Sequence, residues 1–369
     1  ESGQATNDLD AALKALTVAD KEIAIARPPQ GERLRFQSRV MKNQWREALT
    51  PASRRDRPWW ISSYSALTQR LQAADQIESP PEPSPTGTRE EPTAESDRFE
   101  QLSRIVGGPT EGTAARRDSI IDFPRGAQPG TFLHSLFEWL GREGFSRCAS
   151  TPQAVAAALT EKCRNAGYSQ WAPWLIDWLQ HWLETPLPLV SGDQLRPDDL
   201  FAPTMTPAAL RRYQVELEFW IPANALDTDR LDETVIQHTL GSLPRPRVSR
   251  QTVNGMLKGF MDLVFEHEGR YFVLDYKSNH LGATASEYTE ERMRGEILSH
   301  RYDLQYVLYI FALHRLLRSR LGEQYRYDEH IGGAACCFIR GHDSASRGIF
   351  FERPSADLML SLDELFEAQ

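Results

Sequence analysis

Residues 257–282, LKGFMDLVFEHEGRYFVLDYKSNHLG, restrict the possible folds of this chain more than any other stretch. Two apolar runs flank Glu268-Gly269, and Gly269 is free to take the positive φ that a tight hairpin turn requires. Side chains alternate faces along a strand, so Asp275 and Lys277 share one face and Tyr276 takes the other. Antiparallel pairing about the turn brings Asp262 across from Asp275, or one pair diagonal to it. Carboxylates are costly on an inner sheet face. Two of them this close repel, and at least one pKa rises unless a cation lies between them. A divalent metal resolves the conflict. Hard oxygen donors with room for water suit Mg²⁺ or Mn²⁺, and Ca²⁺ is a further ion such a site accepts. Lys277 would then orient an attacking water or stabilise charge building on a phosphate. The plainer alternative is a buried structural ion pair, because Asp-x-Lys alone is a common pattern.

With 369 residues the chain suits one large domain with appendages. Hydrophobic content is 40%, and nine Trp with sixteen Phe are enough for a substantial core. There is no run of eighteen apolar residues, so no membrane span is expected, and no signal-peptide pattern follows Glu1. The chain lacks an initiating Met and is expected to be part of a longer protein. Cys148, Cys163, Cys336 and Cys337 make no CxxC pair and read as reduced thiols of a cytoplasmic protein. A net charge of −9 argues against coating nucleic acid by charge alone. A local basic groove remains open: 292–320 holds six Arg against Glu296 and Asp303, a balance of +4.

Spacing predicts a short helix over 7–17 and a strand or helix entry in WISSYSAL, within 54–67. Residues 78–98 hold five Pro and almost nothing apolar, the composition of an extended linker. After Pro129-Gly130 a helix is expected through Phe132, Leu133, Leu136, Phe137 and Leu140, and 152–185 reads as helical. Trp171, Trp174, Trp178 and Trp182 fall on one face of it, a packing seam rather than a base-stacking stripe. A strand over 213–222, the hairpin, a helix through 288–320, strands GGAACCFIR and GIFFER, and a helix over 355–367 follow. That order describes a mixed α/β sheet with helices packed on it.

The pattern Gly-x-x-Asp, hairpin, Asp-x-Lys resembles the PD-(D/E)xK nuclease superfamily. GTFLHSLFE matches the Gly-x-x-x-His-x-x-x-Glu helix of its RecB-like branch, and LQYVLY the Gln-x-x-x-Tyr helix. The resemblance covers residues ~120–367 well and is weaker upstream. It implies a restriction-endonuclease-like core, a central mixed β-sheet flanked by helices. It implies three segments: 1–75 as the end of a helicase portion, 76–118 as a linker and 119–369 as the nuclease domain. It also implies metal ligation by His134, Asp262, Asp275 and the backbone carbonyl of Tyr276, with Lys277 as the lysine of the motif. Glu138 lies one turn from His134, where it would hold the imidazole or serve packing. Gln305 and Tyr309, at i and i+4, would bond the lysine or a phosphate, or form a polar helix edge beside the core, and Arg125 and Arg301 would touch phosphates or stand as solvated surface charges. VELEF resembles a strand carrying a family Glu near the metal, and alternation leaves Glu216 and Glu218 equally placed. Some RecB-like nucleases hold an iron–sulfur cluster on four Cys. The spacing here does not fit, and none is expected.

The function implied is that of a RecBCD-type helicase-nuclease, exodeoxyribonuclease V, in double-strand-break repair and recombination. The substrate would be single-stranded DNA, with RecC and RecD as partner subunits and RecA as a protein to be loaded. No GxxxxGK[ST] loop is present, so ATP-driven helicase work is expected to lie outside this chain. The competing expectations are a docking module that has lost its chemistry, and a free-standing nuclease of the same superfamily.

Overall fold

The computed structural model describes residues 11, 14, 60–63, 67, 119–189 and 204–367. The chain divides into two units, Glu1–Arg55 and Asp56–Gln369. In the first, residues 11 and 14 are helical. The expected linker over 78–98 lies outside the described residues.

In the second unit the order is β1 (Trp60–Ser63), α1 (Ala127–Glu143), α2 (Phe145–Ser150), α3 (Pro152–Asn165), α4 (Ala172–Glu184), β2 (Leu187–Pro188) and β3 (Thr204–Met205). Then come β4 (Arg212–Asp227), α5 (Thr228–His238), β5 (Thr252–His267), β6 (Arg270–Lys277), α6 (Glu290–His300) and α7 (Tyr302–Leu321). α8 (Tyr327–His330), β7 (Ile331–Phe338), β8 (Ile349–Glu352) and α9 (Ala356–Glu367) complete it. A mixed sheet runs β1-β5-β6-β7-β8, with β4 also on β5. Neighbours on β6 face opposite ways, as a two-residue period demands. Val273 joins a core with α5, α6, α7 and α9, whereas Phe272, Leu274 and Tyr276 join a second core with α1–α4. The sheet is thus covered on both faces.

The hairpin turns as its sequence requires: His267 pairs with Arg270, and Glu268 and Gly269 both take positive φ, 50° and 79°. The tryptophan seam is core. Trp171, Trp178 and Trp182 are buried, and Trp182 meets Phe137 edge-on at 4.7 Å between centroids. The four cysteines are free and buried. Among the described residues no helix is long and apolar enough to cross a membrane.

Three elements differ from the sequence expectation. The helical stretch 152–185 is interrupted where Gly167 takes φ 80°. The single helix expected through 288–320 is two, broken at Arg301, which sits in the left-handed region at φ 59°. Its guanidinium is fully enclosed, donates to Asp303 Oδ1 at 3.1 Å and the Pro246 carbonyl at 2.7 Å, and forms an ion pair with Asp232 Oδ1 at 2.5 Å. These buried ion pairs outweigh helix continuity. Finally β1, within the segment expected to close a preceding domain, runs parallel to β5 with Trp60 on Gly255 and Ser63 on Lys258.

Candidate active site

The β5–β6 ladder stops at Leu263↔Leu274. Continuing that register by one pair sets Asp262 opposite Asp275. There the backbone bonding changes: the Tyr276 N–H donates to Asp262 Oδ2 at 2.7 Å. On the same edge of β5, the length from Gly255 to Lys258 is taken by β1. Asp262 therefore sits at a fork, between the stretches of edge claimed by two different strands.

The opposite neighbour bends at the same level. β4 pairs Val215 with Leu263 and Leu217 with Met261, and Glu216 between them takes φ 51°. Side-chain phase changes there in both strands. Leu257, Met261 and Val264 share one core, while Leu263 and Phe265 enter the other. Tyr213 and Val215 likewise pack on the second core, Leu217 and Phe219 on the first. Unbroken alternation would have put Met261, Leu263 and Phe265 together. The phase change releases Asp262 from an apolar face and resolves the ambiguity on β4. Glu216 lies at the level of Asp262 and acts on its charge, whereas Glu218 pairs with Lys258 at 2.9 Å.

Asp275 and Lys277 retain 6% and 8% of their surface. Their side chains are paired, and the ammonium also donates to Gln305 Oε1 at 2.7 Å. It lies 3.8 Å from the centroid of the Tyr302 ring. Gln305 in turn donates through Nε2 to Tyr309 Oη at 2.8 Å. Burial alone would lower the Lys277 pKa, but Asp275 and lesser neighbours including Tyr302 raise it above its ordinary value, so the side chain stays charged. Asp262 is pushed well above the usual carboxylate range, first by burial and next by Asp275, with Glu216 adding to it. The Tyr276 N–H and Lys277 pull the other way.

His134 projects from α1, with Nδ1 3.7 Å from Asp262 Oδ2 and 39% of its side chain exposed. Although one side of the ring is open to solvent, desolvation by the protein packed around the other lowers its pKa against the opposing pull of Asp275, and the neutral ring has a lone pair to offer. Phe137, one turn on, stacks on Tyr276 at 4.4 Å and ties α1 to β6. Among the described residues no group of three or more His, Cys, Asp or Glu is placed to hold a metal ion. Lys277 engages Asp275, and the Tyr276 N–H engages Asp262. The chemistry of the donors, rather than their present spacing, suits a hard divalent cation. Two carboxylates on neighbouring strands and a neutral imidazole come together there, and burial, with Asp275 next, makes Asp262 costly to charge in the absence of a cation.

The other expected residues are less uniform. Glu138 bonds Arg142 at 2.6 Å, and Arg125 is exposed just before α1. Arg301 requires correction as a DNA contact, because its enclosed guanidinium is spent on Asp303, Asp232 and Pro246. Tyr302 was not among the residues singled out from sequence. Its spacing of three from Gln305 and seven from Tyr309 places it on the same helix face, a signal that was available.

A family model described as the PD-(D/E)XK nuclease superfamily matches residues 101–350. Curated relatives include the RecBCD enzyme subunit RecB of Escherichia coli strain K12, 37% identical over 312 residues, which are 84% of this chain and 23% of that protein. The protein of the same name from Haemophilus influenzae is 34% identical over 254 residues, 67% of this chain and 19% of that protein. That of Mycobacterium tuberculosis H37Rv is 28% identical over 339 residues, 85% and 29% respectively. The chain thus spans less than a third of the length of these relatives.

Proposed function

The chain belongs to the PD-(D/E)XK nuclease superfamily, and from that premise we propose that it hydrolyses DNA phosphodiesters, mainly in single strands, with Mg²⁺. The observation that carries the reading is the charged Lys277, oriented by Asp275 and Gln305 beside the His134–Asp262 pair at the fork of the sheet. His134, Asp262, Asp275 and the Tyr276 carbonyl would hold the cation, for which Mn²⁺ is a substitute. When bound, it supplies Lewis acidity to a phosphate oxygen and to water. Lys277 orients the attacking water and stabilises negative charge growing on the phosphate, from a position that needs no reorganisation. Gln305, itself bonded to Tyr309, gives the ammonium a second, neutral partner beside Asp275. Glu216 keeps the site electronegative until cation and substrate arrive together.

Likeness to RecB subunits supports a place in a RecBCD-type helicase-nuclease acting in break repair, with RecC and RecD as partners in the cytoplasm and RecA as a docked protein. On this reading residues 1–75 close the helicase portion but lend β1 to the nuclease sheet, 76–118 link the two and 119–369 form the rest of the nuclease.

Digestion of linear single-stranded DNA by this chain with Mg²⁺, beside Asp275→Ala and an EDTA control, tests the proposal. Cutting that needs metal and is lost in Asp275→Ala is the expected result. Cutting that survives Asp275→Ala would move the chemistry elsewhere. Absence of any metal binding would leave a docking module.

A further inference from the structure

Arg340 has no part in the chemistry above, yet it is among the most enclosed side chains of the protein, with 1% of its surface exposed. It follows β7, and among the described residues all its hydrogen bonds go to backbone carbonyls. Nε donates to Ser278 at 2.9 Å. Nη1 donates to Ile120, Ile121 and Phe123 at 3.0, 3.2 and 2.7 Å, and Nη2 to Pro124 at 2.6 Å. No carboxylate takes part in these bonds. A buried arginine without an acid is costly unless its donors are satisfied, and here five carbonyls from two distant segments satisfy them.

Those segments are the two halves of the candidate site. Residues 120–124 lead into α1, which carries His134, and Ser278 immediately follows Lys277. A second contact sets the same spacing. On α1, a Cβ added at Gly130 would come within 2.7 Å of Ser278 Oγ and 3.7 Å of Ser278 Cβ, so the Ser278 side chain rests on the helix at the glycine.

We propose that Arg340 is a positioning residue. Its clasp on residues 120–124 and Ser278, together with the Gly130–Ser278 contact, sets the distance between α1 and the end of β6 and thereby holds His134 in reach of Asp262 and Asp275. The inference rests on the nuclease reading for what is positioned. A lysine at 340 keeps the charge but has one nitrogen and cannot span both segments.

The test is Mn²⁺ binding to the purified chain without DNA, read by titration calorimetry, for wild type, Arg340→Lys and Asp363→Asn. The last breaks the ion pairs with Arg315 and Arg318 and serves as a destabilised control remote from the site. Arg340→Lys is expected to weaken Mn²⁺ binding about 10–100-fold, as loss of a residue that orients metal ligands does, and to lower kcat while KM for single-stranded DNA stays within about twofold. Asp363→Asn is expected to lower Tm and leave Mn²⁺ affinity unchanged. Wild-type Mn²⁺ affinity in folded Arg340→Lys overturns the proposal, as does an equal loss of affinity in Asp363→Asn. If Arg340→Lys does not fold, Gly130→Val decides, because a branched side chain there meets Ser278 Cβ as well as the rotatable hydroxyl. It should weaken Mn²⁺ binding, and unchanged affinity in folded Gly130→Val overturns the proposal. A wild type that binds Mn²⁺ but cuts no DNA sinks the nuclease reading and leaves the affinity comparison intact. A wild type that binds no Mn²⁺ overturns the positioning role.

Discussion

Gln305→Ala removes a neutral acceptor bonded to the buried Lys277 ammonium. A hydrogen bond to a charged group contributes about 1.5–3 kcal/mol, and the second bond, from Gln305 to Tyr309, about 1 kcal/mol. Metal-free protein should therefore lose roughly 2.5–4 kcal/mol in urea unfolding. In a Lys277→Met background the charged bond is already gone, and Gln305→Ala should cost only about 1 kcal/mol. The coupling energy of the cycle is then ~1.5–3 kcal/mol, well above the scatter of additive pairs. In the nuclease assay Gln305→Ala should lower kcat up to about 100-fold, because a misplaced catalytic group costs that much. Additivity within about 0.5 kcal/mol would mean that Gln305 does not hold the ammonium, and the positional account of Lys277 would fail.

Other outcomes follow from the same structure. Mg²⁺ at a hundred times its Kd should stabilise the wild type by about 2.7 kcal/mol, and Asp262→Asn should abolish that shift in a thermal melt. His342 is enclosed, and burial, aided by His181 and Arg347, lowers its pKa from 6.5 to about 4. The unfolded chain binds the proton more readily, so this contribution is complete above pH 6.5 and is lost as pH falls toward 4. The total is about 3 kcal/mol. Denaturant midpoints between pH 7 and 4 should fall accordingly in the wild type, and less in His342→Asn. Trp182→Ala should cost about 3–5 kcal/mol, read by urea unfolding, because the ring fills the core between Phe137 and Phe145.

Periodicity and turn chemistry are local, and what they govern was legible in the chain itself. Gly269 and its neighbours specify the hairpin, alternation separates Tyr276 from Asp275 and Lys277, and helical spacing puts His134 and Phe137 on one helix and the tryptophans in one seam. Gln305 and Tyr309 could be placed on one helix face, but not whether that face met a lysine or a phosphate. The choice between Glu216 and Glu218 depended on a phase change shared by two paired strands, which neither strand reveals alone. Arg301 reads as a surface cation in a basic helix. Only the approach of Asp232 and the Pro246 carbonyl, from elsewhere in the chain, encloses it and breaks the helix there. Arg340 carries no local signal, since its five partners are backbone carbonyls 62 to 220 residues away in sequence. The residue types and the order of strands and helices are written in short-range pattern. Which charges are buried, and against what, is decided where distant segments compete for the same space and the same hydrogen bonds.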